Sequence, residues 1–183
     1  MSALGHDLIA STVRAAFPAV TSERASNGRV FLRVPGPQVA EVAVFLRDKA
    51  MLGFDALMDL TAVDLLKFPY TPPRDDICVV YLLFSYKHRH KVTLEVFAER
   101  EHCEVPSVSG VWPAALYFER EVFDLFGVTF QGHPSLRRIM LPDDWQGHPL
   151  RKDYLYPRDY HGVPHLRDGQ HFEGAPPRAG GLS

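Results

Sequence analysis

The stretch FEREVFDLFGVTFQGHP, from Phe118 to Pro134, sets two glutamates, an arginine and an aspartate among four phenylalanines. Two carboxylates that share a site can divide general acid and base work between them. Glu119 and Glu121 are two positions apart, which on a helix turns them about 200° away from each other, so they make no such pair. Glu121 and Asp124, three apart, lie together, and Arg120 and Asp124, four apart, are placed to pair. The apolar positions Leu116, Phe118, Val122, Phe123, Leu125 and Phe126 run nearly all the way round. A helix of that kind is buried on most sides, and buried charges need partners. No nucleophile accompanies the carboxylates. They read better as a charge network that fixes the segment after them, or as an interface, than as an active site.

The histidines are the other candidates. His161 and His165 have a spacing found in zinc sites, with His171 further on. Gly162 and Pro164 intervene, so the pair does not share a helical face, and no cysteine is near to complete a site. A stand-alone metal-dependent hydrolase would have to be built on these three. His133 and His148 each sit in a Gly-His-Pro triplet, which suits a rigid turn whose imidazole bonds to backbone. YKHRHK, from Tyr86 to Lys91, reads as a solvated hairpin tip rather than a nucleic-acid patch. Asp143 and Asp144 before Trp145 read as a turn or helix cap. Two cysteines are too few for an iron–sulfur cluster, which normally takes four ligands. Cys78 lies in the apolar run ICVVYLLF, and Cys103 in REHCEVP, read as a polar turn. The phosphate-binding, dinucleotide-binding, metalloprotease and nucleophile-elbow signatures are all missing.

The elements that must position these residues follow from periodicity. Apolar residues are 46% and charged residues 23% of 183, which suits one globular domain. The net charge of −2 gives no general reason to bind nucleic acid. No apolar run reaches membrane-spanning length, and the N-terminus lacks the basic region of a signal peptide. It reads as an amphipathic helix ended by Pro18. GRVFLRVPG is a short strand, and a helix runs from Pro37 to about Leu52 with Gly53 as its cap. ALMDLTAVDLL is a strand with a turn near Asp64, and KFPYTPPRDD is a loop. ICVVYLLFSY and KVTLEVFAE are paired strands. A helix follows from Pro113 to Phe126, ended by Gly127, and Val128 to Phe130 is extended. The fold class is α+β: a single domain with a mostly antiparallel sheet packed against helices, plus a long extended C-terminal arm. The domain spans 1–132 and the arm 133–183. The arm has no period of its own yet carries Ile139, Met140, Leu141, Trp145, Leu150, Tyr154, Leu155, Tyr156 and Tyr160. Such anchors need a surface to lie on, either the chain's own domain or, favoured for so many anchors, a partner protein.

The segment YFEREVFDLFGVTFQGHPSLRRIMLPDDWQGHPLRKDY resembles the signature of the thirty-kilodalton subunit, also called the C subunit, of respiratory complex I (NADH:quinone oxidoreductase). The matching positions are Glu119, Arg120, Glu121, Asp124, Phe126, Gly127, Phe130, Gly132, His133, Pro134, Arg137, Arg138, Pro142, Trp145, Gly147, His148, Pro149, Arg151, Lys152, Asp153 and Tyr154. The likeness runs from about Arg29 to Tyr154, with Leu116 and Tyr117 standing where many members have Asn-Trp. It implies a peripheral-arm subunit on the cytoplasmic side of a bacterial cell membrane, with no catalytic residues of its own. It implies no cofactor on this chain, the FMN, iron–sulfur clusters and quinone being bound by other subunits. It implies docking on the D subunit, which helps form the quinone cavity, with the B and I subunits nearby and the C-terminal segment running over the partner. Glu119, Arg120, Glu121 and Asp124 would then organise the signature segment, and Arg137, Arg138, Arg151 and Lys152 would meet an acidic partner surface. Related subunits occur in energy-converting hydrogenases and in F420- or ferredoxin-linked complexes, which leaves the electron donor an alternative.

Overall fold

Alternation builds the sheet. The computed structural model describes residues 5–24, 30–66, 74–157 and 159–164. Within them β1 (Thr21–Arg24), β2 (Val30–Arg33), β3 (Ala56–Asp64), β4 (Ile77–Ser85) and β5 (His90–Ala98) form one sheet in the order β1-β2-β5-β4-β3. The pairings are antiparallel except β2 with β5, where Leu32 runs beside Leu94 in parallel. On β5 the side chains of Val92, Leu94, Val96 and Ala98 are buried, while Thr93, Glu95 and Phe97 stand on the other face. On β4, Ile77, Val79, Tyr81 and Leu83 share the inner face. This period of two sends one apolar set into the core.

Three helices cover that inner face. On α1 (His6–Ala16), Ile9, Ala10 and Val13 are buried. On α2 (Val39–Asp48), Val39, Val42, Ala43 and Leu46 are buried. α2 stops at Asp48, short of the expected end at Leu52. A turn intervenes, in which Gly53, at φ 52°, donates to Lys49 O. α3 (Ala115–Phe126) packs beside β3. Two short strands, β6 (Glu104–Pro106) and β7 (Thr129–Gln131), pair in parallel next to it. The Trp112 indole, just before α3, donates to Phe54 O at 2.9 Å and locks this corner to the core.

Two sequence expectations are corrected here. The hairpin tip is not wholly solvated. His88 and His90 are buried, their rings stack at 5.4 Å, and their Nε2 atoms meet Ala50 O and Leu52 O beyond the end of α2. Imidazole bodies are apolar enough to fill the space beside Gly53 once their Nε2 atoms find carbonyls. Cys103 does not lie in a solvated turn. It is buried in the core, as is Cys78, and burial pushes the thiols up to about 11 and about 12. Most of the loop KFPYTPPRDD, together with His165, His171 and the tail after Pro164, lies outside the described residues.

Candidate functional site

The end of α3 and the segment after it form one polar network. The last carbonyls of a helix have no partner within it. Here Gly127, in the left-handed region at φ 73°, donates to Phe123 O. The arm supplies the rest in sequence order. His148 Nδ1 meets Asp124 O at 2.9 Å, Leu150 N donates to Leu125 O at 3.0 Å, and Arg151 Nε donates to Phe126 O at 2.6 Å. A cationic guanidinium at a helix C-terminus is also favoured by the helix dipole. Gly127 is required twice over: a Cβ there would sit 2.5 Å from the His148 ring and 2.9 Å from Arg151.

One carboxylate holds the middle of the arm. Asp124 is fully buried. Its Oδ2 accepts from the N–H groups of Ile139, Met140 and Leu141 at 2.9, 2.8 and 2.9 Å. Its Oδ1 takes Arg138 Nη1 at 2.6 Å, and Arg138 Nη2 reaches on to Trp145 O and Gly147 O. Burial works to raise the acid's pKa. The N–H of Leu141, the Arg138 guanidinium and the N–H groups of Ile139 and Met140 overcome it, so the group sits below the usual range and stays ionised. Arg120, four residues before, does not pair with Asp124 as its spacing suggested. It donates instead to Arg137 O at 3.1 Å and Arg138 O at 2.9 Å. Glu121 points to solvent and does not join Asp124.

Further along, Asp64 at the end of β3 receives Lys152 N at 2.7 Å and Leu66 N at 2.8 Å, and it pairs with Arg100, which also reaches Asp153 at 3.1 Å. Asp64 and Arg100 were not singled out from the sequence. The available signal was a carboxylate on the buried face of an apolar strand, which demands a partner. Tyr154 OH donates to Gln146 O at 3.0 Å, and its ring lies against Gly147. His133 Nε2 meets Leu116 O at 3.1 Å, and its Nδ1 accepts from Ser135 N, the backbone-bonded turn expected of a Gly-His-Pro triplet. Pro134 is exposed and Pro149 half-buried, flanking the two histidines. His161 pairs with Asp144 at 2.7 Å, and among the described residues no three His, Cys, Asp or Glu side chains cluster to hold a metal.

Glu119 is separate from all this. It is fully buried on another side of α3, with Oε1 on Val108 N at 2.7 Å and Oε2 on Ser107 Oγ at 2.6 Å. Burial pushes its carboxyl up to about 7, against the pull of those two donors.

Residues 133–154 fold back on their own domain, with Ile139, Met140 and Leu150 still exposed. Arg138 and Arg151, two of the four cations expected to meet a partner, are engaged within the chain.

Residues 32–160 match the family described as respiratory-chain NADH dehydrogenase, 30 Kd subunit. The chain belongs to this family. The C subunit of NADH-quinone oxidoreductase from Roseiflexus sp. (strain RS-1) is 42% identical over 144 residues, covering 78% of this chain and 80% of that one. The C subunit from Moorella thermoacetica is 46% identical over 113 residues, covering 62% and 71%. Among solved structures, a trypsin-resistant fragment (1-134) of Nqo5 superposes with a TM-score of 0.60 at 31% identity, over 71% of this chain and 98% of the fragment. A chain of the membrane-bound sulfane sulfur reductase, an archaeal respiratory membrane complex, superposes at 0.64 with 26% identity, over 81% and 84%. The family match takes in α3 and the arm as far as Tyr160, so the network around Asp124 lies within it. No helix among the described residues is long and apolar enough to cross a membrane.

Proposed function

We propose that this chain is a peripheral-arm subunit of a proton-translocating NADH:quinone oxidoreductase, acting as a scaffold rather than as a catalyst. It docks on the D subunit, with the B and I subunits nearby, on the cytoplasmic side of the membrane. FMN, iron–sulfur clusters and quinone are held by the other subunits. The observation that carries this reading is the family match over residues 32–160, which contains the buried network fixing the arm. The chemistry of the chain agrees with a scaffold. The buried charges hold backbone in place, and both cysteines are buried thiols pushed away from the thiolate that metal binding needs.

A second reading, the equivalent subunit of another membrane-bound complex such as a hydrogenase or an F420- or ferredoxin-linked enzyme, is favoured by the likeness to the sulfane sulfur reductase chain. Affinity purification of tagged protein from mildly solubilised membranes separates the two. Co-purification of a relative of the D subunit with flavin-dependent NADH oxidation supports the first reading. An assembly without NADH oxidation supports the second, and a lone protein carrying stoichiometric zinc overturns both.

A further inference from the structure

Glu119 is a buried acid without a cation. Its donors are neutral, Val108 N–H on Oε1 and the Ser107 hydroxyl on Oε2, and no lysine, arginine or histidine among the described residues pairs with it. On α3 itself, Arg120 and Asp124 are engaged with the arm and Glu121 is exposed. On the adjoining elements the charged side chains are Asp59 and Asp64 of β3 and Glu104 of β6, and β7 has none. Asp64 is held by Arg100, and Glu104 accepts from Gln131. None of these acts on Glu119, which answers to burial, Ser107 and Val108. The ionisable group that senses its charge is Tyr81 on β4, whose buried hydroxyl makes no hydrogen bond to the described residues and stays neutral. A carboxylate so placed bears the cost of leaving water with little return, which favours the neutral acid.

The hydroxyl beside it leads outward. Ser107 Oγ lies 2.6 Å from Glu119 Oε2 and 2.7 Å from Ser109 Oγ, and in the second contact either hydroxyl can donate. Ser109 N–H also donates to Ser107 Oγ at 3.1 Å, and Ser107 N–H donates to Gln131 O at 2.8 Å, which fixes the middle of the row. Ser109 is half-buried, and Gly110 after it is exposed, with open space where a Cβ would stand. A row of oxygens at hydrogen-bond spacing therefore runs from the core to the surface. A hydroxyl donates once and accepts twice, so the row is satisfied in either direction. With Glu119 ionised, Ser109 O–H donates to Ser107 Oγ and Ser107 O–H to Oε2. With Glu119 neutral, Oε2–H donates to Ser107 Oγ and Ser107 O–H to Ser109 Oγ. Val108 N–H and Ser109 N–H keep their acceptors in both states.

We propose that Ser107 and Ser109 form a proton relay through which buried Glu119 exchanges a proton with solvent. On uptake, a hydronium ion gives a proton to Ser109 Oγ, the Ser109 proton passes to Ser107 Oγ, and the Ser107 proton passes to Glu119 Oε2. Each O–H bond broken along the row is replaced by one formed at the next oxygen, leaving a water molecule and a neutral acid. Release runs the same steps backward. The clip between α3 and the loop thus changes charge without losing a hydrogen bond. The relay belongs to this chain alone and stands whichever complex holds it.

The test follows the Glu119 carboxyl of the full chain by time-resolved infrared spectroscopy after a light-triggered pH jump. Its band is the one missing from Glu119→Gln. Ser109→Ala removes the outer hydroxyl and leaves both donors to the carboxyl in place. In wild type and in Ser109→Ala alike, the carboxyl should titrate between about pH 5 and pH 8. Protonation should be slower in Ser109→Ala by about tenfold or more, and Ser109→Thr, which keeps a hydroxyl, should retain the wild-type rate. Protonation of Ser109→Ala at the wild-type rate would mean that the proton enters by another way, and it would overturn the inference. A carboxyl that stays ionised across that pH range overturns it too. So does a slowing shared by Ser109→Thr, which would trace the effect to altered packing rather than to the missing hydroxyl.

Discussion

Two carboxyl groups on one helix, both fully buried, meet opposite fates. Asp124 receives three backbone N–H groups and a guanidinium, and it is held below the usual carboxylate range. Glu119 receives one N–H and one hydroxyl, and it is pushed up to about 7. Burial acts on both in the same direction. The donors decide the difference: four including a cation overcome desolvation, and two neutral donors do not. The first region is a charged clamp on the arm. The second is a near-neutral clip between α3 and the loop at Ser107 and Val108.

The comparison breaks most easily at Asp124. Asp124→Ala leaves Arg138 and three N–H groups without their acceptor, and loss of one member of a buried pair costs about 3–5 kcal/mol. Chemical denaturation of the purified chain should read this loss, and limited proteolysis should now cut between residues 137 and 154. A variant with wild-type stability and an intact arm would show that the clamp is not what holds the segment. The pH sign is also set. The folded pKa of Asp124 is depressed, so its stabilisation is complete above the unfolded aspartate value of about 3.9 and is lost as pH falls through the lower folded value.

Glu119 should behave in the opposite sense. Its folded pKa of about 7 lies above an unfolded value of roughly 4.3. Between those two values the folded chain retains a proton that the unfolded chain has released, so stability falls as pH rises through this window. The full loss is about 4 kcal/mol above pH 8. Glu119→Gln has the same shape and cannot ionise. The stability difference between variant and wild type, followed by denaturation from pH 5 to pH 8, should move by roughly two thirds of that amount in favour of the variant, the rest having been lost below pH 5. A difference that stays flat would mean that Glu119 is ionised throughout and that the two carboxyls are alike after all.

What the sequence made legible sharpens the same contrast. α3, its end at Gly127 and the long strands were readable because period and side-chain type agree over nine or more residues. β1 and β6, four and three residues long with TSER and EVP, carry too few apolar positions to show a period. That Glu119 and Glu121 would not pair followed from spacing alone. The partners of Asp124 did not, because Arg138 lies fourteen residues away, and Lys152 lies eighty-eight residues from Asp64. Local spacing favoured Arg120 for Asp124, and a tertiary contact won. A usable signal was present. A helix that ends in a glycine turn has carbonyls to satisfy, and His148, Leu150 and Arg151 meet them in order.

Gly127→Ala tests that capping with a smaller effect than either carboxyl. It forces alanine into φ 73° and drives its Cβ toward His148. Strain of this kind costs about 1–3 kcal/mol, read as a lowered denaturation midpoint. Its interaction with Arg151→Ala in a double-mutant cycle should differ from zero, since both act on one helix end. Additive losses would place Arg151 outside the cap.

The smallest expected effect belongs to His148. Its pKa is lowered by burial first, in spite of the carbonyl of Asp124, and the neighbouring cations Arg151 and Arg138 add to the shift. With the imidazole neutral, Nδ1–H donates to that carbonyl and Nε2 carries no proton. The folded pKa lies below the unfolded value of about 6.5, so this contribution is present above pH 6.5 and is lost as pH falls toward the folded value. His148→Gln should remove the pH dependence from this window while Asp124, ionised throughout it, keeps the clamp closed. The difference in stability between wild type and variant should therefore shrink on going from pH 7.5 to pH 5.5, by about 1 kcal/mol or less. A difference that grows on acidification would mean that the protonated imidazole is the form that caps the helix. The dipole at the end of α3, rather than desolvation, would then dominate at this residue.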